Sequence, residues 1–272
     1  MVKIDWVEIP AGEFLMGLSE QQVKQLREKL PANEYLKEDF YHAVDFTSET
    51  SQRVIKLDTF YIARFPITVG QYNEFVATGH PYAYPYGSRI HMGDLPNYPE
   101  TTVWHHADAF CHWIGGRLPT AAEWEKAARG TDGRLYPWGN EWDESRGNFS
   151  RDLTPPHARD GDWPGYPLTP VDAYPGGVSP YGVWDMMGNV REWTLTFEYD
   201  PESKTEVPVV KGSCAKDSPP PLWFTHRVTR HRKGSLIPHL SPPYTGFRPV
   251  MDKWQTQYWP GFRAEAESGA GV

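Results

Sequence analysis

Residues 116–125 read GRLPTAAEWE, and this stretch decides the fold of the chain. Thr120 and Glu123 have the spacing of a capping box, in which each side chain binds the backbone N–H of the other residue. Gly130 follows the last position with helical spacing, and glycine is the residue that most often terminates a helix. The stretch therefore predicts a helix over 121–129 that stops at Gly130.

Three further helices are predicted on the N-terminal side of this one. Apolar side chains recur there at intervals of three and four residues, which is typical of one buried helix face. The predicted helices cover about 20–30, 68–79 and 107–114. Residues 31–52 have no such period and are expected to form a loop. From Gly130 onward glycine, proline and tryptophan interrupt the chain every few residues, so no helix is expected there.

Short strands are predicted by alternation of apolar and polar residues. Residues 6–17 alternate around a Pro-Ala-Gly turn, a pattern typical of a β-hairpin with two strands. Residues 54–62 alternate in the same way and predict one strand. Strand-like pieces in the second half lie near 190–197, 207–211 and 246–250.

The composition indicates a globular, loop-rich protein. Hydrophobic residues make up 39% of the 272 residues, which is enough to bury a core, and 24 Gly, 26 Pro and 12 Trp favour irregular segments held by turns and aromatic side chains. The formal net charge of -8 argues against a general nucleic-acid binder, which needs an excess of Lys and Arg. No nucleic-acid partner is expected.

Membrane association, export and a disulfide framework are not expected either. The chain has no run of about 18 apolar residues, and its first residues lack the charged-then-apolar layout of a secretion signal. Cys111 and Cys214 form neither a disulfide framework nor a CxxC pair, and buried thiols are the simplest interpretation. We expect a cytoplasmic protein without a membrane partner.

Several ordered motifs resemble the formylglycine-generating enzyme family, also called sulfatase-modifying factors. Residues 116–125 carry the resemblance together with YPWGN at 136–140 and MGNVREW at 187–193. Further matches are IPAGEFLMG at 9–17, PITV at 66–69 and GFR at 246–248. Each motif is weak alone, but their order over most of the chain makes the resemblance specific.

The resemblance implies an α+β fold of the C-type lectin-like type. It has small, twisted, mostly antiparallel sheets, few helices and many long loops. We expect one such domain over residues 1–264, with an insertion at about 18–52 and a flexible tail at 265–272.

The resemblance also implies a copper site, but this chain lacks its ligands. Active members hold copper with two cysteines five residues apart that follow an Arg-Gly-Gly-Ser strand, because soft Cu(I) needs thiolates. The two positions fall near Asp217 and Leu222 here, and Cys214 replaces the serine. No copper is expected. A second branch of the family, similar to sulfoxide synthases, uses histidine-bound iron on an additional N-terminal helical domain, and no iron site of that kind is expected in these 272 residues.

Calcium is a separate expectation, because family members hold structural Ca²⁺ with carboxylates and carbonyls. One candidate site would use Asn148, Phe149 and Asp162, with Asp160 as an alternative to the last. The better-matched site would use Asp185, Gly188, Val190 and Glu192. The alternative for Glu192 is an ion pair with Arg191 or a neighbour.

The lectin-type scaffold presents the segment 214–245 on one exposed face. Its aromatic and basic residues have the side chains that dominate binding hot spots, so the segment predicts a binding surface for a protein or small ligand. The candidate residues are Trp223, Phe224, His226, Arg227, Arg230, His231, His239 and Tyr244. The alternative is that these side chains fill the core.

Three functions are consistent with these features. The favoured one is a non-catalytic binding protein that uses the segment 214–245. The second is a variable protein of a diversity-generating retroelement, because such proteins diversify the same segment of the same fold. The third is an oxidoreductase with a metal chemistry different from that of the copper enzymes.

Overall fold

The computed structural model describes residues 2–29, 52–83, 95–149, 168–200, 204–214, 225–227 and 244–258, with only the backbone described at 27–29, 200, 225–227 and 258. The flexible tail expected at 265–272 and nearly all of the loop expected at 31–52 lie outside these residues. So does most of the insertion expected at about 18–52.

Four α-helices lie in the described residues, and all four predicted helices are confirmed. They are α1 (Glu20–Lys29), α2 (Val69–Val76), α3 (Trp104–Trp113) and α4 (Ala121–Arg129). α4 has both reciprocal bonds of the predicted capping box, and Gly130 takes a φ of 71° at its end. α3 begins three residues before the predicted start. None of these helices is both long enough and apolar enough to cross a membrane.

The first four strands form one long antiparallel ladder that breaks in the middle. β1 (Trp6–Ile9) pairs with β4 (Phe60–Ala63), and β2 (Gly12–Met16) pairs with β3 (Arg53–Leu57). The predicted hairpin between β1 and β2 is therefore wrong, as is the single strand predicted over 54–62. The ladder breaks beside Pro10, which has no backbone N–H to donate.

The remaining strands complete a three-stranded and a four-stranded sheet. β9 (Val250–Asp252) joins β1 and β4 in the order β1-β4-β9. A four-stranded sheet has the order β7-β6-β5-β8 and contains β5 (Arg191–Asp200), β6 (Thr205–Lys211), β7 (Thr225–Arg227) and β8 (Thr245–Gly246). The single strand predicted over 246–250 is wrong, because β8 and β9 belong to different sheets. Pairing partners are distant in sequence, so local alternation does not reveal this division.

The sheet β1-β4-β9 is buried on both faces. Tyr61 and Met251 point into the cluster that contains residues of α2 and α3, whereas Ile62 and Val250 point into the cluster that contains Trp124 of α4. This alternation follows from the two-residue period of a strand. All four residues of β4 are buried as a result. The observed architecture confirms the α+β class.

Candidate functional site

Strand β6 leads into the segment where active members of the family hold their copper ligands. Lys211, its last residue, is buried and donates Nζ to Glu125 Oε2 at 2.8 Å, and Glu125 Oε1 accepts from Arg129 at 2.6 Å. Burial raises the pKa of Glu125, but the charges of Lys211 and Arg129 outweigh burial and bring the pKa to about 2. This buried triad fixes the end of β6 against α4.

The next three residues are also held from inside the protein. Gly212 has a φ of 75°, and a Cβ at this position would lie 3.2 Å from the Trp124 ring. Ser213 Oγ accepts a hydrogen bond of 3.1 Å from the backbone N–H of Gly188. Cys214 is completely buried. The backbone therefore enters the segment 214–245 from a rigid position.

Cys214 lies in an apolar cluster rather than at a surface. The cluster contains Leu168, Val190 and Tyr244, with Tyr98 packed against it. Cys111, the other cysteine, is buried in a separate cluster under α3, and neither cysteine forms a disulfide. The Cys214 thiol thus fills space between side chains.

The structure describes only part of the expected binding surface. His226 and Arg227 lie in β7, where they pair with Val210 and Val209 of β6. Tyr244 is 6% exposed, so the expectation that it lies on an open face is wrong, because its ring packs into the apolar cluster around Cys214. The other candidates lie outside the described residues, namely Trp223, Phe224, Arg230, His231 and His239.

A buried ion pair joins Glu192 of strand β5 to Arg248. Arg248 donates from Nε to Glu192 Oε2 at 2.7 Å and from Nη2 to Glu192 Oε1 at 2.6 Å. Trp124 Nε1 donates to Glu192 Oε2 at 2.8 Å. Further bonds from the Arg248 guanidinium reach three backbone carbonyls, those of Ala63, Arg64 and Trp184.

Asn189 is the centre of a second polar network that the sequence analysis did not identify. Its Nδ2 donates to Asp185 Oδ2 at 2.9 Å and to the carbonyl of Thr169 at 3.0 Å. Its Oδ1 accepts from Asn148 Nδ2 at 3.2 Å and from the Thr169 backbone N–H at 3.0 Å. Asn189 has a φ of 60°, and the Gly-Asn pair is the available sequence signal, because both residues tolerate positive φ.

The buried carboxyl of Asp185, considered alone, is suited to bind calcium. The residue is 6% exposed, and burial raises the pKa of its carboxyl to about 7 despite the hydrogen bond from Asn189 and the charge of Arg248. A divalent cation would favour the ionised form of such a carboxyl. Gly188, which would offer its carbonyl, has a φ of 90° and lies in the turn between Asp185 and Glu192.

Glu192 is already engaged within the protein, because both of its oxygens accept hydrogen bonds and Arg248 neutralises its charge. The ion-pair alternative for Glu192 is the arrangement in the structure, with a partner 56 residues away rather than Arg191. Calcium binding by the four expected ligands, which include the Val190 carbonyl, stays a prediction.

The other expected calcium site is only partly described. The Asn148 carbonyl accepts from the Asn189 backbone N–H at 2.9 Å, and the ring of Phe149 lies 4.8 Å from that of Trp142. Asp162 and its alternative Asp160 lie outside the described residues. Within the part of the chain that the structure describes, no three His, Cys, Asp or Glu side chains are grouped as a metal site would require.

The family described as sulfatase-modifying factor enzyme 1-like domain matches residues 3–253. The chain belongs to this family. Over 118 residues it is 42% identical to the inactive C-alpha-formylglycine-generating enzyme 2 of Mus musculus, with 42% of this chain and 36% of the relative aligned. Over 215 residues it is 31% identical to the formylglycine-generating enzyme of the same species, with 69% and 57% aligned. The matched part is thus less than two thirds of either relative.

Solved structures share the formylglycine-generating enzyme type of C-type lectin-like fold. CarF superposes with a TM-score of 0.58 at 19% identity, covering 93% of this chain and 99% of CarF. Treponema denticola variable protein 1 superposes with a TM-score of 0.57 at 16% identity, covering 91% and 94%. The sulfatase-modifying factor fold predicted from the motifs is therefore confirmed.

Proposed function

We propose that this member of the sulfatase-modifying factor family is a non-catalytic binding protein whose segment 214–245 holds a protein or small ligand. The single observation that carries the proposal is the state of the thiols. Cys214 is the only cysteine in that segment, and its side chain is completely buried among Leu168, Val190 and Tyr244. A thiolate pair that could hold Cu(I) is missing from the positions near Asp217 and Leu222.

The scaffold beneath the segment supports a binding role. The Lys211–Glu125 bond of 2.8 Å, the Gly212 turn against Trp124 and the buried Cys214 hold its N-terminal end. Its C-terminal end is held by Tyr244, whose carbonyl accepts from the Arg191 backbone N–H at 2.9 Å. A segment with both ends fixed loses less conformational freedom when it binds a partner.

Two of the relatives bear on the proposal. One of them carries a name that describes it as an inactive formylglycine-generating enzyme, and it is 42% identical over the aligned residues. Loss of catalysis with retention of the scaffold therefore occurs within the family. The active enzyme of the same species is also related, at 31% identity, so the thiols rather than the overall similarity separate the two functions.

Affinity capture with the full chain tests the proposal. The variant Trp223→Ala with Phe224→Ala removes two large aromatic side chains from the segment, whereas Trp254→Ala removes an exposed tryptophan elsewhere. We expect a partner that is retained by the wild type and by Trp254→Ala and is lost from the double variant. Capture that is equal for all three chains, or lost from both variants, would contradict binding through the segment.

A matched activity test separates binding from catalysis. Oxygen consumption is measured with a cysteine-containing peptide and added copper or iron, for the wild type and for Cys214→Ser. We expect no turnover from either chain. Turnover by the wild type that disappears in Cys214→Ser would establish the oxidoreductase alternative and overturn the proposal.

A further inference from the structure

A cavity of about 650 Å³ lies on the loop 138–146. None of the residues discussed above as ligands lines it. Its volume lies within the range of about 300–1,000 Å³ that is typical of small-molecule sites. The cavity therefore accommodates a ligand considerably larger than a single metal ion.

Two tryptophans form the apolar part of the cavity wall, and other rings hold both in place. Trp138 stacks on Tyr136 with 5.4 Å between ring centroids, and it contacts Trp142 at 6.0 Å. Trp142 packs against Phe149 at 4.8 Å. The Nε1 of Trp138 donates to the Glu141 carbonyl at 3.0 Å, which further fixes its ring. Both indoles are half-buried, so each is preorganised and still offers surface to the cavity.

The polar part of the wall is negative. Arg146 pairs with Asp143 at 2.8 Å and also donates to the Gly176 carbonyl at 2.8 Å, so its charge is compensated within the wall. Glu141 and Glu144 are exposed and add two further carboxylates. A ligand in the cavity thus meets two indole side chains and a lining that holds three carboxylates and one guanidinium.

We propose that this cavity binds a cationic alkylammonium group. The ring quadrupole attracts a cation that lies over an indole face, more strongly the further the cation is desolvated, and the carboxylates of Glu141 and Glu144 attract the same charge. An anion is repelled by both features. A neutral sugar gains from the tryptophans but not from the charge, which distinguishes it from the proposed ligand.

Titration with choline, observed through the tryptophan indole N–H signals in NMR spectra, tests the proposal. The signals of Trp138 and Trp142 are assigned with Trp138→Phe and Trp142→Phe. We expect saturable shifts of both signals with choline chloride, and neither shift with sodium chloride at equal ionic strength. Weaker binding is expected for 3,3-dimethylbutanol, the uncharged carbon analogue of choline. Equal binding of the two would overturn the proposal, because the charge would then contribute nothing.

Variants in the cavity and outside it complete the test. Trp142→Leu should weaken choline binding about tenfold, which corresponds to about 1.4 kcal/mol of cation–π energy. Trp254→Leu removes a tryptophan that is 62% exposed elsewhere and should leave the affinity unchanged. Glu141→Gln with Glu144→Gln changes only exposed residues and should also weaken binding. Unchanged affinity in this double variant would overturn the proposal even if Trp142→Leu failed to fold.

The source of the ammonium group is distinguished with Nα-acetyl-lysine amide. Tighter binding of this compound than of choline would indicate the lysine side chain of a peptide. Tighter binding of choline would indicate a free quaternary ammonium compound. No saturable shift with either ligand would overturn the proposal.

Discussion

Arg248 and Glu192 meet through two hydrogen bonds of 2.6 and 2.7 Å, and both side chains are completely buried. The pair connects the strand β5 to the start of the chain segment that forms β9. Three backbone carbonyls and the Trp124 indole complete the hydrogen bonds of the two charges. The arginine of the GFR motif therefore has a structural role in this protein.

Arg248→Met should lower the free energy of unfolding by about 3–5 kcal/mol, because it leaves the Glu192 carboxylate buried without a counter-charge. Urea denaturation measures the change. The control Arg134→Met breaks the exposed pair between Arg134 and Asp132 and should cost less than about 1 kcal/mol. Equal losses in the two variants would contradict the account.

Glu100→Gln should stabilise the protein at alkaline pH. Burial raises the pKa of Glu100 from 4.5 to about 8, and its Oε1 has no hydrogen-bond partner among the residues that the structure describes. Between these two pH values the unfolded chain loses this proton more readily than the folded one, so wild-type stability falls as pH rises through the window. The Glu100→Gln variant removes that loss. Above the window, its free energy of unfolding should therefore exceed that of the wild type by more than about 1 kcal/mol.

The measurement is urea denaturation at two pH values, one below and one above this window. Below it, Glu100→Gln and wild type should differ little, because the carboxyl is protonated in the folded protein. Glu74→Gln serves as the matched control, since Glu74 is exposed. A stability difference between wild type and Glu100→Gln that does not change with pH would show that Glu100 does not titrate as described.

Gly177→Ala should destabilise the loop that carries the proposed ammonium site. A Cβ at Gly177 would overlap the Arg146 carbonyl, so the short helix Glu144–Arg146 would have to move. Such overpacking costs about 1–3 kcal/mol. The control is Gly176→Ala, whose Cβ would meet its nearest neighbour, Arg146 Cγ, at 3.6 Å. Urea denaturation should show a clearly larger loss for Gly177→Ala, and the opposite order would contradict this packing.

Neither cysteine should react with a thiol reagent in the native protein. Cys111 and Cys214 are both completely buried, and burial raises the pKa of the Cys111 thiol well above its usual value. Reaction needs an accessible thiolate. Ellman's reagent should report no thiol in the folded chain and both thiols in denaturant. Rapid native reaction that is lost in Cys214→Ser would show that the Cys214 side chain faces a ligand site.

Local sequence patterns predicted the elements that depend on neighbouring residues. They did not predict the strand pairing, because it depends on residues that are distant in the chain. The capping box at Thr120 and Glu123 is completed within one helical turn, so the pattern alone predicts α4. The break between β1 and β2 depends on pairing with strands about 50 residues away in the chain, as the register of Ile9 with Phe60 shows. Local alternation contains no information about such partners.

The site shows the same division between local and distant information. The absence of the cysteine pair could be read directly from residues 210–223. The partner of Glu192 could not, because Arg248 is 56 positions away. A glutamate between Arg191 and Trp193 in a strand was the available signal, since a buried charge needs a compensating one. Asn189 was missed because a side-chain amide within a loop gives no periodic pattern.

Competition for Cu(I) tests the central claim most directly. The full chain is mixed with one equivalent of Cu(I) and a chromogenic chelator such as bathocuproine disulfonate, and the metal retained by the protein is measured. The account predicts that all of the metal goes to the chelator, because no thiolate pair is present and Cys214 is buried. Stoichiometric retention of copper by the protein, abolished by Cys214→Ser, would contradict it.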